Sequence, residues 1–430
     1  MSLEGCKAVI ERVLKSPWAW DCRDFKCKSK GDFYLVEGDC GERVVGVYSR
    51  DGRPAEEDPA LLESLLSKGV EGLEVKCLSP PPRVLSVERL GSGPRGDTYE
   101  ALAPPYGKLL VKVFRRLGGH RRESLVLEYF SRKPLVLVPR LVCSVYLEDS
   151  DYIVVTESVG GEPLAHVFVE SARLSVNSTK AIVPPEALYI GRALAFLHRA
   201  AMECHEAWCT PRPASRVDVE RWIERLRVRA RILKNYASTI AGDESIVVGE
   251  ASDALEELAV KSSKEWIRLL EGRPMALIHG DMHLYQVYRQ SGGRLVFTDF
   301  EGEPSKEPGN PMELEPPERD LAALARSIDY ARALAYMAAR GVDAWEAAAQ
   351  APRILSHWLD SVVKTVLTSY REEKGPGDLG VPLLFWLVER ASYEAVYELR
   401  YSTGLHPIPL EALIRLYEGR DDTAKIAVGG

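Results

Sequence analysis

Short apolar and β-branched runs dominate the first 160 residues, and from residue 162 onward the apolar spacing is mostly helical. Phe33-Tyr34-Leu35-Val36 and Val44-Val45-Gly46-Val47-Tyr48 predict strands, and Ser49-Arg50-Asp51-Gly52-Arg53 predicts a turn. Leu61, Leu62, Leu65 and Leu66 mark a helix. Val84 to Leu90, Leu109 to Phe114 and Tyr152 to Thr156 predict further strands, with a helix over Glu123 to Phe130. In the second half Ile190, Leu194 and Leu197 share one helix face, and Leu321, Leu324 and Ile328 share another. The strand signals there flank acidic motifs. Leu78-Ser79-Pro80-Pro81-Pro82-Arg83 predicts a linker, because three prolines continue neither a helix nor a ladder. The Pro-rich acidic stretch 304–317 and Gly375-Pro376-Gly377-Asp378-Leu379-Gly380 predict loops. The expected class is α+β, with a small module over 1–79, a strand-rich segment over 84–160 and a helical segment over 161–430.

At 430 residues the chain exceeds one ordinary core, so about two or three domains are expected. A hydrophobic content of 46% with 28% charged residues describes a soluble globular protein. The net charge of −7 supplies no basic face, so no nucleic-acid partner is expected. No apolar run approaches the roughly 18 residues of a membrane span, and Val381 to Val388 fits a buried helix. The first residues carry no signal-peptide pattern, so a cytoplasmic protein is expected. The eight cysteines form no C-x-x-C pair, which argues against zinc and for small buried hydrophobes. Asn and Gln number three each, a scarcity that suggests a thermophile, where intracellular disulfides occur. Cys22 with Cys27 or Cys40, and Cys204 with Cys209, are the candidate pairs.

Candidate chemistry concentrates in residues 279–303. His279-Gly280-Asp281-Met282-His283-Leu284-Tyr285-Gln286 is followed by the apolar run Leu295 to Phe297 and then Asp299-Phe300-Glu301-Gly302-Glu303-Pro304. An acid, an amide five residues later and a second acid beyond a strand is the order phosphoryl transfer uses. Asp281 is the expected base. Gln286 and Asp299 are expected to hold Mg²⁺ on ATP, with Glu301 on the same side of an extended backbone. Lys112, mid-strand among Leu110, Val111, Val113 and Phe114, is the expected phosphate contact, paired with Glu123 or with Glu128, Glu123 being preferred. Gly91, Gly93 and Gly96 lie between two strands and form a phosphate lid or an ordinary hairpin loop. The backbone from Glu157 to Val159 is expected to take the adenine. His279 and His283 do not read as a zinc pair, because Gly280 breaks a helix and Asp281 replaces the required Glu. His279 is expected to brace the loop, and His283 to touch the sugar or to be a satisfied core histidine. A strand-rich lobe before a helical lobe is the bilobal protein-kinase-like plan.

These segments resemble the maltokinases, sugar kinases of the aminoglycoside-phosphotransferase-like superfamily. Lys112-Val113-Phe114-Arg115-Arg116-Leu117 is similar to that family's lysine strand, and His279 to Val287 to its H-G-D-x-H-x-x-Q-V loop. Asp299 to Pro304 is the most specific match. Arg319-Asp320-Leu321-Ala322 and Arg326 to Ala331 resemble the following helix, Glu389 to Glu398 the late helix beside the sugar, and Ile408-Pro409-Leu410 the end of the match. The resemblance implies Asp281 as base, Gln286 and Asp299 on Mg²⁺, a cap domain over 1–79, and Glu394 as a sugar contact. Tyr393 with Tyr397 and Glu394 with Glu398 form i, i+4 pairs that line a polar pocket or make a solvated helix with core tyrosines. One departure stands out: Leu405 occupies the place of a family Trp. The expected activity is phosphorylation of maltose to maltose 1-phosphate. Glucosamine, another monosaccharide or an aminoglycoside-like amine is the alternative acceptor, and a nucleotide-binding regulator is the non-enzymatic one. The sequence carries no signal for oligomeric state.

Overall fold

The computed structural model describes residues 2–15, 22–30, 33–39, 43–93, 95–118, 121–303, 312–374, 380–421 and 424–425. Pro94, most of the expected 304–317 loop and residues 375–379 of the other loop lie outside the described residues. The chain divides into two compact units, Met1–Gly160 with Val296–Met312, and Gly161–Leu295 with Glu313–Gly430.

In the first unit, α1 (Ser2–Val13) precedes an antiparallel meander of β1 (Arg23–Lys30), β2 (Phe33–Asp39) and β3 (Arg43–Ser49). Val9, Val13, Tyr34, Val36, Val44 and Tyr48 form its core. Next comes α2 (Pro59–Lys68), where the Asp58 side chain accepts from the Ala60 and Leu61 N–H groups and Pro59 takes the first helical position. Then follow β4 (Glu74–Cys77), β5 (Ser86–Ser92), β6 (Gly96–Ala103), β7 (Gly107–Phe114), β8 (Arg116–Leu117), α3 (Arg122–Phe130), β9 (Leu141–Leu147) and β10 (Ser150–Glu157). Among the described residues the larger sheet runs β4-β9-β10-β7-β6-β5, and β8 extends the first sheet beside β3. The expected 1–79 and 84–160 segments therefore share both sheets, since β4 belongs to one and β8 to the other.

Six of these elements had no expectation: α1, β1, β4, β6, β8 and β9. β1 carries lysines on its outward positions while Phe25 and Cys27 pack on the core, so its apolar signal is weak. The expected strand at Val84 starts at Ser86 instead. Disulfides join Cys6 to Cys27, Cys77 to Cys143 and Cys204 to Cys209. Cys27 thus pairs with Cys6 rather than Cys22, because α1 lies against β1. Cys40 lies outside the described residues.

The second unit is helical: α4 (Leu164–Val176), α5 (Glu186–Met202), α6 (Arg216–Ala237), α7 (Asp243–Val260), α8 (Ser263–Leu270), α9 (Glu318–Arg340), α10 (Ala344–Ala349), α11 (Arg353–Lys374), α12 (Gly380–Tyr401) and α13 (Pro407–Tyr417). Ser215 and Asp218 close a reciprocal cap at the start of α6. α9 packs against α4 and α12. The run expected to form a buried helix does so, with Phe385 and Trp386 edge-on to each other and to Trp266 and Trp222. Among the described residues no helix is long and apolar enough to cross a membrane.

Helices α5 and α11 approach closely at Gly191. A Cβ there would overlap the Ser369 hydroxyl and the Val366 carbonyl, and backbone cannot yield as a flexible side chain does. Gly191→Ala is expected to cost about 1–3 kcal/mol by overpacking, more than its gain in helix propensity returns. A urea midpoint equal to or above that of the parent protein would contradict this packing.

Candidate active site

Strand β7 lies between β6 and β10, with Lys112 opposite Thr98 and Val154. Its alternation buries Leu109, Val111 and Val113 and turns Lys112 to the other face. There Lys112 Nζ lies 2.5 Å from Asp299 Oδ1, 3.8 Å from Glu123 Oε1 and 3.8 Å from Glu301 Oε2. Glu123 occupies the first turn of α3, and its Oε2 is buried with no hydrogen-bond partner. Glu128 is engaged elsewhere, with Lys76 and Arg132. The start of α3 is fixed by Asp151, which accepts from Ser124 N at 3.0 Å and Ser124 Oγ at 2.6 Å. Burial pushes the Asp151 carboxyl up to about 6, against the pull of those donors.

The segment after Phe297 is not extended, contrary to expectation. Asp299 takes a left-handed φ of 64° and the chain turns through Phe300 and Glu301. Arg122 Nε secures the turn by donating to the Phe300 carbonyl at 2.8 Å. Asp299 and Glu301 still converge on Lys112, through the turn rather than through strand alternation.

Burial opposes the charge on Lys112, but Asp299, Glu123 and Glu301 outweigh it and hold the ammonium above its ordinary range. Burial pushes Glu123 well up; Lys112 opposes this while Asp299 and Glu301 reinforce it. Three carboxylates around one ammonium leave excess negative charge in a pocket of hard oxygen donors. That donor set fits Mg²⁺, which on a nucleotide needs only one or two protein carboxylates beside the phosphates. Among the described residues no three His, Cys, Asp or Glu form a ready-made metal cage.

The Gly91, Gly93 and Gly96 motif is the tip of the β5–β6 hairpin, where Gly93 N donates to Gly96 O at 2.7 Å. Gly96 is required by packing, since a Cβ would strike the Val113 carbonyl. Gly91 and Gly93 are not crowded by any side chain, so packing does not explain them. Glu157 ends β10, with its N–H on the Arg140 carbonyl at 3.0 Å, and half-buried Val159 follows just before the chain enters the second unit.

In the second unit the His279-Gly280-Asp281 loop is held by α9. Asp320 accepts from His279 N at 2.8 Å and Gly280 N at 2.9 Å, and His198 Nε2 lies 3.0 Å from it. Burial favours the neutral acid, yet His198 and these donors keep the Asp320 carboxyl below its ordinary value. Arg319 Nη1 donates to the Gly280 carbonyl at 3.0 Å and is itself held by Glu315 and Glu389. Two consecutive helix residues therefore fix the backbone just before Asp281. His279 is buried, and Asp281 N lies 3.3 Å from its Nδ1.

Asp281 Oδ1 accepts from Arg390 Nη1 at 2.8 Å, while Asp281 Oδ2 lies 3.8 Å from His283 Nε2. His283 also lies beside Gln286, with 3.3 Å between their ε nitrogens. On α12 Glu394 takes Arg390 Nε at 3.1 Å on one oxygen and Arg326 Nε at 3.0 Å on the other. Glu398 accepts from Thr403 Oγ1 and from the Tyr330 hydroxyl at 3.2 Å, and burial raises its carboxyl. The Tyr397 ring lies 5.9 Å from that of Tyr393 and 4.6 Å from that of Tyr401, between centroids.

The structure thus groups Lys112, Glu123, Asp299 and Glu301 in the first unit, and Asp281, His283, Gln286, Arg390 and Glu394 in the second. No expectation gave a site role to Arg390, Arg319, Asp320 or His198. Arg390 and Glu394 are four apart on one helix, a spacing that signals an ion pair.

No family model matches the chain. A glucosamine kinase of Mycolicibacterium smegmatis is 29% identical over 147 residues, which is 32% of this chain and 31% of that protein. A glucosamine kinase of Streptacidiphilus jiangxiensis is 27% identical over 202 residues, which is 46% of this chain and 40% of that protein. The match thus spans less than half the length of these curated relatives. A crystal structure of glucosamine kinase superposes with a TM-score of 0.69 at 17% identity, over 96% of this chain and 99% of the other. A glucosamine kinase in complex with glucosamine, ADP and inorganic phosphate superposes with a TM-score of 0.67 at 17% identity, over 94% and 97%. The fold is the protein-kinase-like one of these structures.

Proposed function

We propose that this chain is an ATP- and Mg²⁺-dependent phosphotransferase that phosphorylates a sugar hydroxyl. The observation that carries the reading is Lys112 held by Asp299, Glu123 and Glu301 on a central strand. A half-buried lysine inside a surplus of acids costs folding energy, and phosphate-bearing nucleotide with a divalent cation is the ligand such a set suits. In this reading Lys112 grips the phosphates and Glu123 orients it. Asp299 and Glu301, with Gln286, hold Mg²⁺, which supplies charge neutralisation on the transferring phosphoryl group. The Gly91–Gly96 hairpin lies over the phosphates, and the Glu157–Val159 backbone takes the adenine. Asp281 orients the acceptor hydroxyl and takes its proton, and His283, Tyr397, Glu394 and Glu398 border the sugar. Positioning and fixed charge supply most of the rate.

Glucosamine is the acceptor this reading puts first, because both curated relatives phosphorylate it by name. Maltose is the acceptor implied by the loop resemblance. Purified protein with ATP and Mg²⁺ is expected to release ADP when given glucosamine, and much less with maltose, glucose, trehalose or aminoglycosides. Turnover on maltose alone would move the acceptor and keep the chemistry. ADP binding without turnover on any acceptor would favour a nucleotide-binding regulator.

A further inference from the structure

The Asp281 carboxylate follows a glycine of φ 87° on a loop, and a loop carboxylate rotates unless something holds it. Arg390 Nη1 holds it, 2.8 Å from Oδ1. Arg390 is itself immobilised: its Nε donates to Glu394 at 3.1 Å and its guanidinium lies 4.9 Å from the centre of the Tyr393 ring. The other oxygen of Glu394 accepts from Arg326 Nε at 3.0 Å, and Arg326 Nη1 donates to Asp329 at 2.7 Å. Arg326, Asp329, Glu394 and Arg390 are all buried. Alternating charges thus run Asp281–Arg390–Glu394–Arg326–Asp329 across α12 and α9.

We propose that Arg390 is a positioning residue for Asp281, fixing one carboxylate oxygen so that the other meets the acceptor hydroxyl. This rests on the reading of Asp281 as the base. The planar fork of arginine serves Asp281 with one nitrogen and Glu394 with another; a lysine offers a single point charge and reproduces only part of that geometry. A misplacement of about 1 Å at a reacting group is enough to cost roughly 100-fold in rate. A residue that merely glued α12 to the loop would act through stability instead.

The test measures kcat, the KM of each substrate and the thermal midpoint for wild type, Arg390→Met, Arg390→Lys, Asp281→Asn and the Asp281→Asn/Arg390→Met double variant. Arg390→Met is expected to lower kcat about 10- to 100-fold, with the KM for ATP within about twofold. Arg390→Lys should recover part of that loss. In the Asp281→Asn background Arg390→Met should change the residual rate by less than about twofold, because residues that act as a unit are not additive. A kcat for Arg390→Met near that of wild type overturns the proposal, as does an equal loss in both backgrounds. If Arg390→Met does not fold, Arg390→Lys decides: a wild-type kcat overturns it and a reduced kcat at unchanged KM for ATP supports it. Wild-type protein inactive on every sugar would overturn the parent reading and this inference with it, whereas an active wild type with an unimpaired Arg390→Met sinks this inference alone.

Discussion

Asp281→Asn is expected to lower kcat by about 10²- to 10⁴-fold or more, while affinity for ADP stays within about twofold. Asparagine keeps the shape of the side chain, and its carbonyl oxygen still accepts from Arg390. It cannot take a proton from the acceptor. The loop itself should survive, because its grip on α9 is made by backbone: His279 N and Gly280 N on Asp320, and the Gly280 carbonyl on Arg319. None of those contacts uses the Asp281 side chain. Of the groups assigned to nucleotide, Lys112, Glu123, Asp299 and Glu301 meet without Asp281. Acceptor-dependent ADP release and calorimetric ADP binding on the same preparation check both halves. Turnover near that of the parent would remove Asp281 from the chemistry; loss of ADP binding would move it to the nucleotide.

The split between what was legible in the sequence and what was not follows the range of each interaction. Lys112 was legible because a charge inside Leu-Leu-Val-Lys-Val-Phe demands a partner, and strand alternation says which face it takes. Residues 279–303 stood out because their residue types and order are those phosphoryl transfer uses, and the structure brings Asp299 and Glu301 of that segment to Lys112. On sequence Glu123 was preferred over Glu128, and α3 separates them by facing Glu123 to Lys112 and Glu128 to Lys76 and Arg132. The convergence of Asp299 and Glu301 was expected for the wrong reason, since no sequence signal announces a left-handed aspartate. Arg390 reaches Asp281 across 109 positions and Arg115 reaches Glu56 across 59. Such pairs leave no periodic trace, because the fold and not local spacing brings them together. Cys6 with Cys27 is the same case, set by α1 lying on β1.

The second large effect is on stability, and it comes from a cluster that the sequence did not announce. Arg115 is 1% exposed and Glu56 is fully buried. The guanidinium meets both Glu56 oxygens, at 3.1 and 3.2 Å, donates from Nε to Asp97 at 3.0 Å and from Nη1 to the Tyr152 hydroxyl at 3.0 Å. That hydroxyl also donates to Glu56 and accepts from Val47 N at 3.0 Å. Burial opposes the charge on Arg115, but Glu56, Tyr152, Tyr48 and Asp97 outweigh it and hold the group well above its ordinary range. One side chain thus neutralises acids from the Ala55–Glu57 turn and β6, beside a hydroxyl that ties β10 to β3. Arg115→Met keeps much of the apolar stem and removes the charge, which strands the buried Glu56 carboxylate, whereas Asp97 keeps Arg89 and Ser92. Breaking a buried pair from one side costs about 3–5 kcal/mol, because the partner is left without compensation. Arg115→Met is therefore expected to lower the urea midpoint and to expose the Val47 amide to exchange well before the helices of the second unit. Replacing Glu56 by Gln in the same variant should return part of the loss by removing the stranded charge. A midpoint unchanged by Arg115→Met would mean that water or a rearrangement reaches those acids, and that the cluster does not hold the first unit together.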